Sequence, residues 1–249
     1  AAAAFTVVPR HVLGGPGFIA PNDKINLAYI GCGTQGLREM ARLIQNPALQ
    51  IVTVCDPNKF TTDYVDWSLY GIRNGIRRAL DDPDWGANLD GIPGGRDVGQ
   101  EFVEKYYAKN SPSGSFKGCT SYADFRELLE KEKDVDAVFI MTPDHLHATV
   151  AVAAMKKNIM VGSHKPIGNF MQETRVTIET ARKTGVPTQM FAWQDSRTTH
   201  ILAEWIKQGV IGKVTELHRW TNRPMWPPVS YTHLRAHETS LHLVCRLLL

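Results

Sequence analysis

The sequence predicts an α/β fold: a doubly wound parallel sheet followed by the start of a second α/β domain. Three observations carry that prediction. An apolar, strand-length run at 24–30 leads into Gly31-Cys32-Gly33-Thr34-Gln35-Gly36 and then into a helical pattern. A β-branched run at 50–55 stops at Asp56-Pro57. Beyond residue 117, helix-like and strand-like segments alternate, the order expected of units feeding one parallel sheet. The composition agrees. At 249 residues with 43% hydrophobic and 21% charged residues, the chain can build a packed core and is neither collagen-like nor disordered. A formal charge of +3 with no Lys/Arg stripe leaves no electrostatic footprint for nucleic acid. No run of 18 apolar residues is present, so no span crosses a membrane. Four dispersed Cys exclude a disulfide scaffold and a zinc ribbon.

Each element follows from its pattern. The first helix shows Leu37, Met40, Ala41 and Ile44 at helical spacing and stops at Asn46-Pro47. Residues 58–117 are less regular and are predicted to be an insertion, with one helix over 98–108. Within it, Asp81-Asp82-Pro83-Asp84 has the composition of a solvated turn rather than a cation site. A helix is predicted over 122–131 and a buried strand over 135–141, and the Thr142–His147 loop then leads into a helix ending at Lys157. Strand 159–162 ends at Ser163-His164-Lys165-Pro166. Helix 172–184, strand 188–193 and helix 198–208 follow, and the alternating run 213–221 predicts a half-buried strand opening an antiparallel sheet.

The glycine spacing alone is a weak signal, but its strand–turn–helix–strand setting is the one that dinucleotide binding requires. Gly31 permits the tight turn, Gly33 lets a pyrophosphate approach the backbone, and Gly36 lets helix and strand pack closely. The helix opening at Thr34 and Gln35 points its free N–H groups, about half a positive charge, at the phosphates. Asp56, twenty residues after Gly36, stands where a carboxylate accepts from the ribose hydroxyls and repels a 2′-phosphate. NAD is therefore expected ahead of NADP. A plain glycine turn and a turn aspartate before Pro57 are the alternatives.

With Gly31 to Gly36, Asp56, the Thr142-Pro143-x-x-x-His147 loop and Lys165-Pro166 in this order at strand ends, the chain resembles the Gfo/Idh/MocA oxidoreductases over 24–227. The resemblance implies an N-terminal Rossmann domain, a C-terminal domain with a largely antiparallel sheet, and a sugar or polyol substrate. It implies that Lys165 contacts the nicotinamide ribose and substrate hydroxyl and passes a proton. Thr142, Pro143 and His147 match the loop over the cofactor, Pro166 follows the lysine, and Trp193 with Gln194 match a segment near the nicotinamide. His164 stands where most members carry Glu, a departure at the nicotinamide side. His145 and His147 are two apart and share no helix face, so no metal site is expected.

The two ends depart from this pattern. Ala1 to Ala4, followed by Phe5, Val7 and Val8, have the composition of a signal-peptide remnant over 1–22, which implies a periplasmic or exported protein. A disordered tail or cloning remnant, with a cytoplasmic location, is the alternative. Residues 229–249 resemble a translated sequencing adapter, so His233, His237, His242 and Cys245 are set aside as ligands. On that view the Rossmann domain spans 23–208, and 209–228 begin a truncated substrate domain that would have supplied the acid/base partner of Lys165. Neither His200 nor His218 lies in the matching motif. The expectation is thus an NAD(P)-dependent dehydrogenase fragment that binds NAD without turning over sugar, and a homo-oligomer at full length. An NAD-dependent glycosidase of the α-N-acetylgalactosaminidase kind and a non-catalytic nucleotide-binding module are the rivals.

Overall fold

The computed structural model describes residues 15, 19–65, 70–111, 113–191, 196–216 and 218. The chain divides into two units, Ala1–Trp193 and Gln194–Leu249. In the first, strands β1 (Ile25–Ile30), β2 (Leu49–Cys55), β3 (Thr120–Tyr122), β4 (Ala137–Ile140), β5 (Met160–His164) and β6 (Thr188–Phe191) form one parallel sheet in the order β3-β2-β1-β4-β5-β6. Helices α1 (Thr34–Leu43), α2 (Gly71–Leu80), α3 (Arg96–Lys109), α4 (Phe125–Lys131), α5 (His147–Lys156) and α6 (Met171–Thr184) connect them.

The sheet is central because its middle strands are apolar on both faces. Along β1, Leu27 and Tyr29 enter one core while Ala28 and Ile30 enter the other. The first core takes Leu37 and Met40 of α1, Ile72 and Ile76 of α2, and Phe102 and Val103 of α3. The second takes Leu128 of α4 and Val150, Ala154 and Met155 of α5. Burying each of the larger side chains contributes about 1.5–3 kcal/mol, so both layers hold the strand ends in fixed register. A groove on the first face, between β1, β4, β5 and β6, is lined by apolar side chains including Leu27, Phe139 and Phe191.

Several expectations need correction. The helix expected from residue 122 starts at Phe125, because 120–122 pair with Thr53 to Cys55 as β3. Asp124 caps α4 by accepting the Arg126 N–H at 2.8 Å. The insertion, in which only one helix is expected, also holds α2. There Arg73 is 9% exposed and its guanidinium donates to the carbonyls of Leu89 and Gly91 at 2.6 and 2.8 Å. Strand β5 runs on through His164, which pairs with Phe191.

In the second unit, helix α7 (Ser196–Lys207) ends in a turn with Gly209 at φ 70°. The strand expected over 213–221 is not formed by its described residues, 213–216 and 218. An isolated strand leaves its backbone groups without a ladder. His218 lies in no strand, and its Nε2 is 2.9 Å from Glu216 Oε1. The Ala-rich start, the 229–249 segment, Trp193 and Gln194 lie outside the described residues. Among those described, no helix is long and apolar enough to cross a membrane.

Candidate functional site

The strand order reverses between β1 and β4, and the loops leaving the C-terminal ends of the strands there lie where doubly wound sheets form their ligand crevice. The glycine turn leaves β1. Gly31 has φ +105°, and a Cβ on it would lie 2.6 Å from the Met141 backbone. A Cβ on Gly36 would lie 2.0 Å from the Gly31 carbonyl oxygen. Both positions are glycine because the protein itself leaves no room. Gly33 differs: its φ is −81°, and an added Cβ would meet only the Tyr64 ring, at an ordinary 3.5 Å. The fold does not demand glycine there, which leaves room for a ligand to approach the backbone. Behind Gly33, α1 starts with no side-chain cap, so the first-turn N–H groups of Thr34 and Gln35 have no intrahelical partner.

Asp56 follows β2 and is 7% exposed. Its Oδ2 accepts the Cys32 N–H at 2.7 Å and its Oδ1 accepts the Asn58 N–H at 2.8 Å. The carboxylate thus ties the glycine turn to β2. Each oxygen keeps a lone pair with which ribose hydroxyls can bond. Burial raises its pKa above the ordinary value, while the two N–H groups and the Arg96 charge oppose that rise. Arg96, at the start of α3, donates to the carbonyls of Asp56 and Pro57 at 3.2 and 3.0 Å.

Across the crevice, the loop after β4 holds Thr142 and Pro143, and the 144–146 turn delivers His147 to the first position of α5. His147 is 1% exposed. Its Nε2 lies 2.9 Å from the Thr142 carbonyl and its Nδ1 lies 2.6 Å from the Pro166 carbonyl. Its ring is therefore spent clipping the β4 loop to the β5 loop, and it reaches a ligand only through the loops it fixes. Past β5, the Lys165 backbone N–H donates to Phe191 O at 3.1 Å, its side chain is exposed, and the Lys165–Pro166 peptide is cis. Partial burial, then the charges of Lys165 and His147, lower the pKa of His164 below its ordinary 6.5. The imidazole is therefore mostly neutral at pH 7.

The structure brings together Gly31 to Gly36, Asp56, Thr142, Pro143, His147, His164, Lys165 and Pro166 at one edge of the sheet. The residues present fit a dinucleotide. Gly33 is kept clear, the α1 N-terminus is open, and Thr142 Oγ1 and His145 Nε2 are buried with no partner among the described residues. Among those residues no group of three or more His, Cys, Asp or Glu could hold a metal ion. Arg96 and Tyr64 escape the sequence reading. They lie in the insertion, and the only signal near Arg96 is the preceding Gly94-Gly95.

Comparison with known proteins agrees with this geometry. A family model described as an oxidoreductase family with an NAD-binding Rossmann fold matches residues 99–191. A glycosyl hydrolase family 109 protein of Stenotrophomonas maltophilia is 25% identical over 80% of this chain and 36% of its own length. The levoglucosan dehydrogenase of Pseudarthrobacter phenanthrenivorans is 28% identical over 45% of this chain and 30% of its own. The chain thus spans about a third of these relatives. The crystal structure of myo-inositol 2-dehydrogenase from Lactobacillus plantarum superposes with a TM-score of 0.50 at 18% identity, over 77% of this chain and 43% of that one, and shares its fold. The strand order and the glycine turn are those of a Rossmann fold, and residues 99–191 are similar to that NAD-binding oxidoreductase family.

Proposed function

We propose that this chain is the cofactor-binding part of an NAD-dependent oxidoreductase that acts on a CH–OH group of a sugar or polyol. The crevice at the strand-order reversal carries the reading. There a glycine that the fold does not require faces an open helix N-terminus, with Asp56 and Lys165 at flanking strand ends. The levoglucosan dehydrogenase relative supports the substrate class. Bound NAD+ supplies the hydride acceptor. The α1 N–H groups hold the pyrophosphate, and Asp56 holds the ribose and disfavours a 2′-phosphate. Lys165 Nζ takes up or relays the hydroxyl proton. His147 keeps the two loops in register for that contact, and neutral His164 adds no positive charge to oppose proton uptake at Lys165 Nζ. The Ala-rich start supports an exported location.

A second reading has one observation in its favour, the relative named as a glycosyl hydrolase. In that case the hydride is returned and the net reaction is hydrolysis.

Calorimetric titration of the chain with NAD+ and NADP+ tests the cofactor assignment. NAD+ is expected to bind more tightly, and Asp56→Ala to narrow the difference. Equal affinities in the parent chain remove Asp56 from its role, and binding of neither cofactor defeats the reading. Assays over aldoses, inositols and aryl glycosides should follow both NADH absorbance and aglycone release. Net NADH formation marks the oxidoreductase, and release without it marks the hydrolase. Wherever turnover is seen, Lys165→Ala should lower the rate by roughly two to four orders of magnitude.

A further inference from the structure

The insertion after β2 does not stand apart from the crevice. Residues 58–64 and 91–97 are laced together: Thr61 and Gly94 exchange backbone hydrogen bonds at 3.0 and 2.9 Å, and the Arg96 and Asp97 N–H groups donate to the carbonyls of Asn58 and Lys59. The lacing is fastened to the glycine turn, because the Gly95 N–H donates to Cys32 O at 2.9 Å. Tyr64 lies inside it. One edge of its ring fills the space left by the missing side chain of Gly94, where a Cβ would come within 2.3 Å of Cε2. The other edge faces Gly33, with Cε1 at 3.5 Å and Oη at 3.7 Å from where a Cβ would stand. Gly94 is thus open for the tyrosine, and the tyrosine borders the space that Gly33 leaves open.

We propose that Tyr64 is a cofactor-binding residue contributed by the insertion: its ring walls the pyrophosphate cradle and its phenol donates a hydrogen bond to a pyrophosphate oxygen. The inference rests on the NAD-binding reading above. Burial, with the Asp56 carboxylate nearby, pushes the Tyr64 phenol up to about 12, so it stays protonated and able to donate over the working pH range. A donor on a charged phosphate oxygen makes one of the stronger hydrogen bonds available to a protein.

The test is calorimetry on the full 249-residue chain and its Tyr64→Phe variant, with NAD+, ADP and adenosine as probes. The variant keeps the ring in the Gly94 slot and removes only the donor. It should weaken NAD+ and ADP by a similar factor, about tenfold or more, and leave adenosine unchanged. An unchanged ADP affinity, a loss shared equally by adenosine, or tighter binding of NAD+ overturns the proposal. Tighter binding would instead make Tyr64 an obstruction. Failure of the parent chain to bind any of the three defeats the NAD-binding reading itself. A measurement on the parent chain guards against a misfolded variant. Saturating ADP should slow amide hydrogen exchange over residues 58–65, adenosine should not, and exchange indifferent to ADP also overturns the proposal.

Discussion

Gly31, Gly33 and Gly36 are glycines for different reasons, and substitution separates them. Gly33→Ala should leave the unfolding temperature nearly unchanged, since the added methyl meets Tyr64 at an ordinary distance. It should still weaken NAD+ at least about tenfold, roughly 1.4 kcal/mol. Gly31→Ala forces a side chain to φ +105° and into the Met141 backbone, and should lower stability by about 1–3 kcal/mol in a denaturant titration. His164 gives a pH signature. Its folded pKa lies below the unfolded value near 6.5, so the folded state binds fewer protons in that window. The stability linked to it is present above pH 6.5 and is lost as pH falls through the lower folded pKa. Melting curves between pH 5 and 8 should show this slope in the parent chain and a shallower one in His164→Gln. The tight turn at Gly31 and the close packing at Gly36 were legible because spacing and context encode them. That His147 would be a buried clip was not, since the carbonyls that flank its two ring nitrogens belong to Thr142 and Pro166, one of them nineteen residues away.

Two loops and one insertion make the crevice, and their legibility differs. The β4 and β5 loops were readable because each follows a short apolar strand and opens with a Pro-containing pair, Thr142-Pro143 or Lys165-Pro166. Strand β3 was not. Its three residues, Thr120 to Tyr122, carry no apolar alternation and gain strand character only by pairing with β2. Helix α2 was hidden for a similar reason. It contains two glycines and three arginines, and Arg73 is buried only because carbonyls from the far side of the insertion receive it. Between the loops, the His147 clip invites a direct test. His147→Leu leaves whichever of the Thr142 and Pro166 carbonyls accepts the ring N–H without its donor, and should cost about 1–3 kcal/mol in a denaturant titration. NAD+ affinity should fall as well, because Lys165 loses its fixed loop. A variant as stable and as tight-binding as the parent would show that the His147 clip is not needed.

At the scale of the whole molecule, the doubly wound order was legible from the alternation of strand and helix, since a parallel sheet buried on both faces admits few arrangements. The second unit was less so. The run from 213 has the right alternation, yet alternation makes a strand only where a neighbour offers a ladder. A ligand seated across the ends of β1, β2, β4 and β5 touches most of the first unit's connections at once. Saturation with NAD+ at one hundred times its Kd should therefore stabilise that unit by about 2.7 kcal/mol, seen as a raised melting temperature, with a smaller rise for NADP+. No rise with either would argue against a site at these strand ends. The division of labour within the glycine turn also bears on descent. Positions 31 and 36 are held by folding, whereas 33 is free of that demand and is accounted for by the proposed dinucleotide. A lineage of this fold that gave up its dinucleotide would keep the outer two and drift at the middle one, so a side chain at that position in a descendant would record the loss of the ligand while the architecture endured.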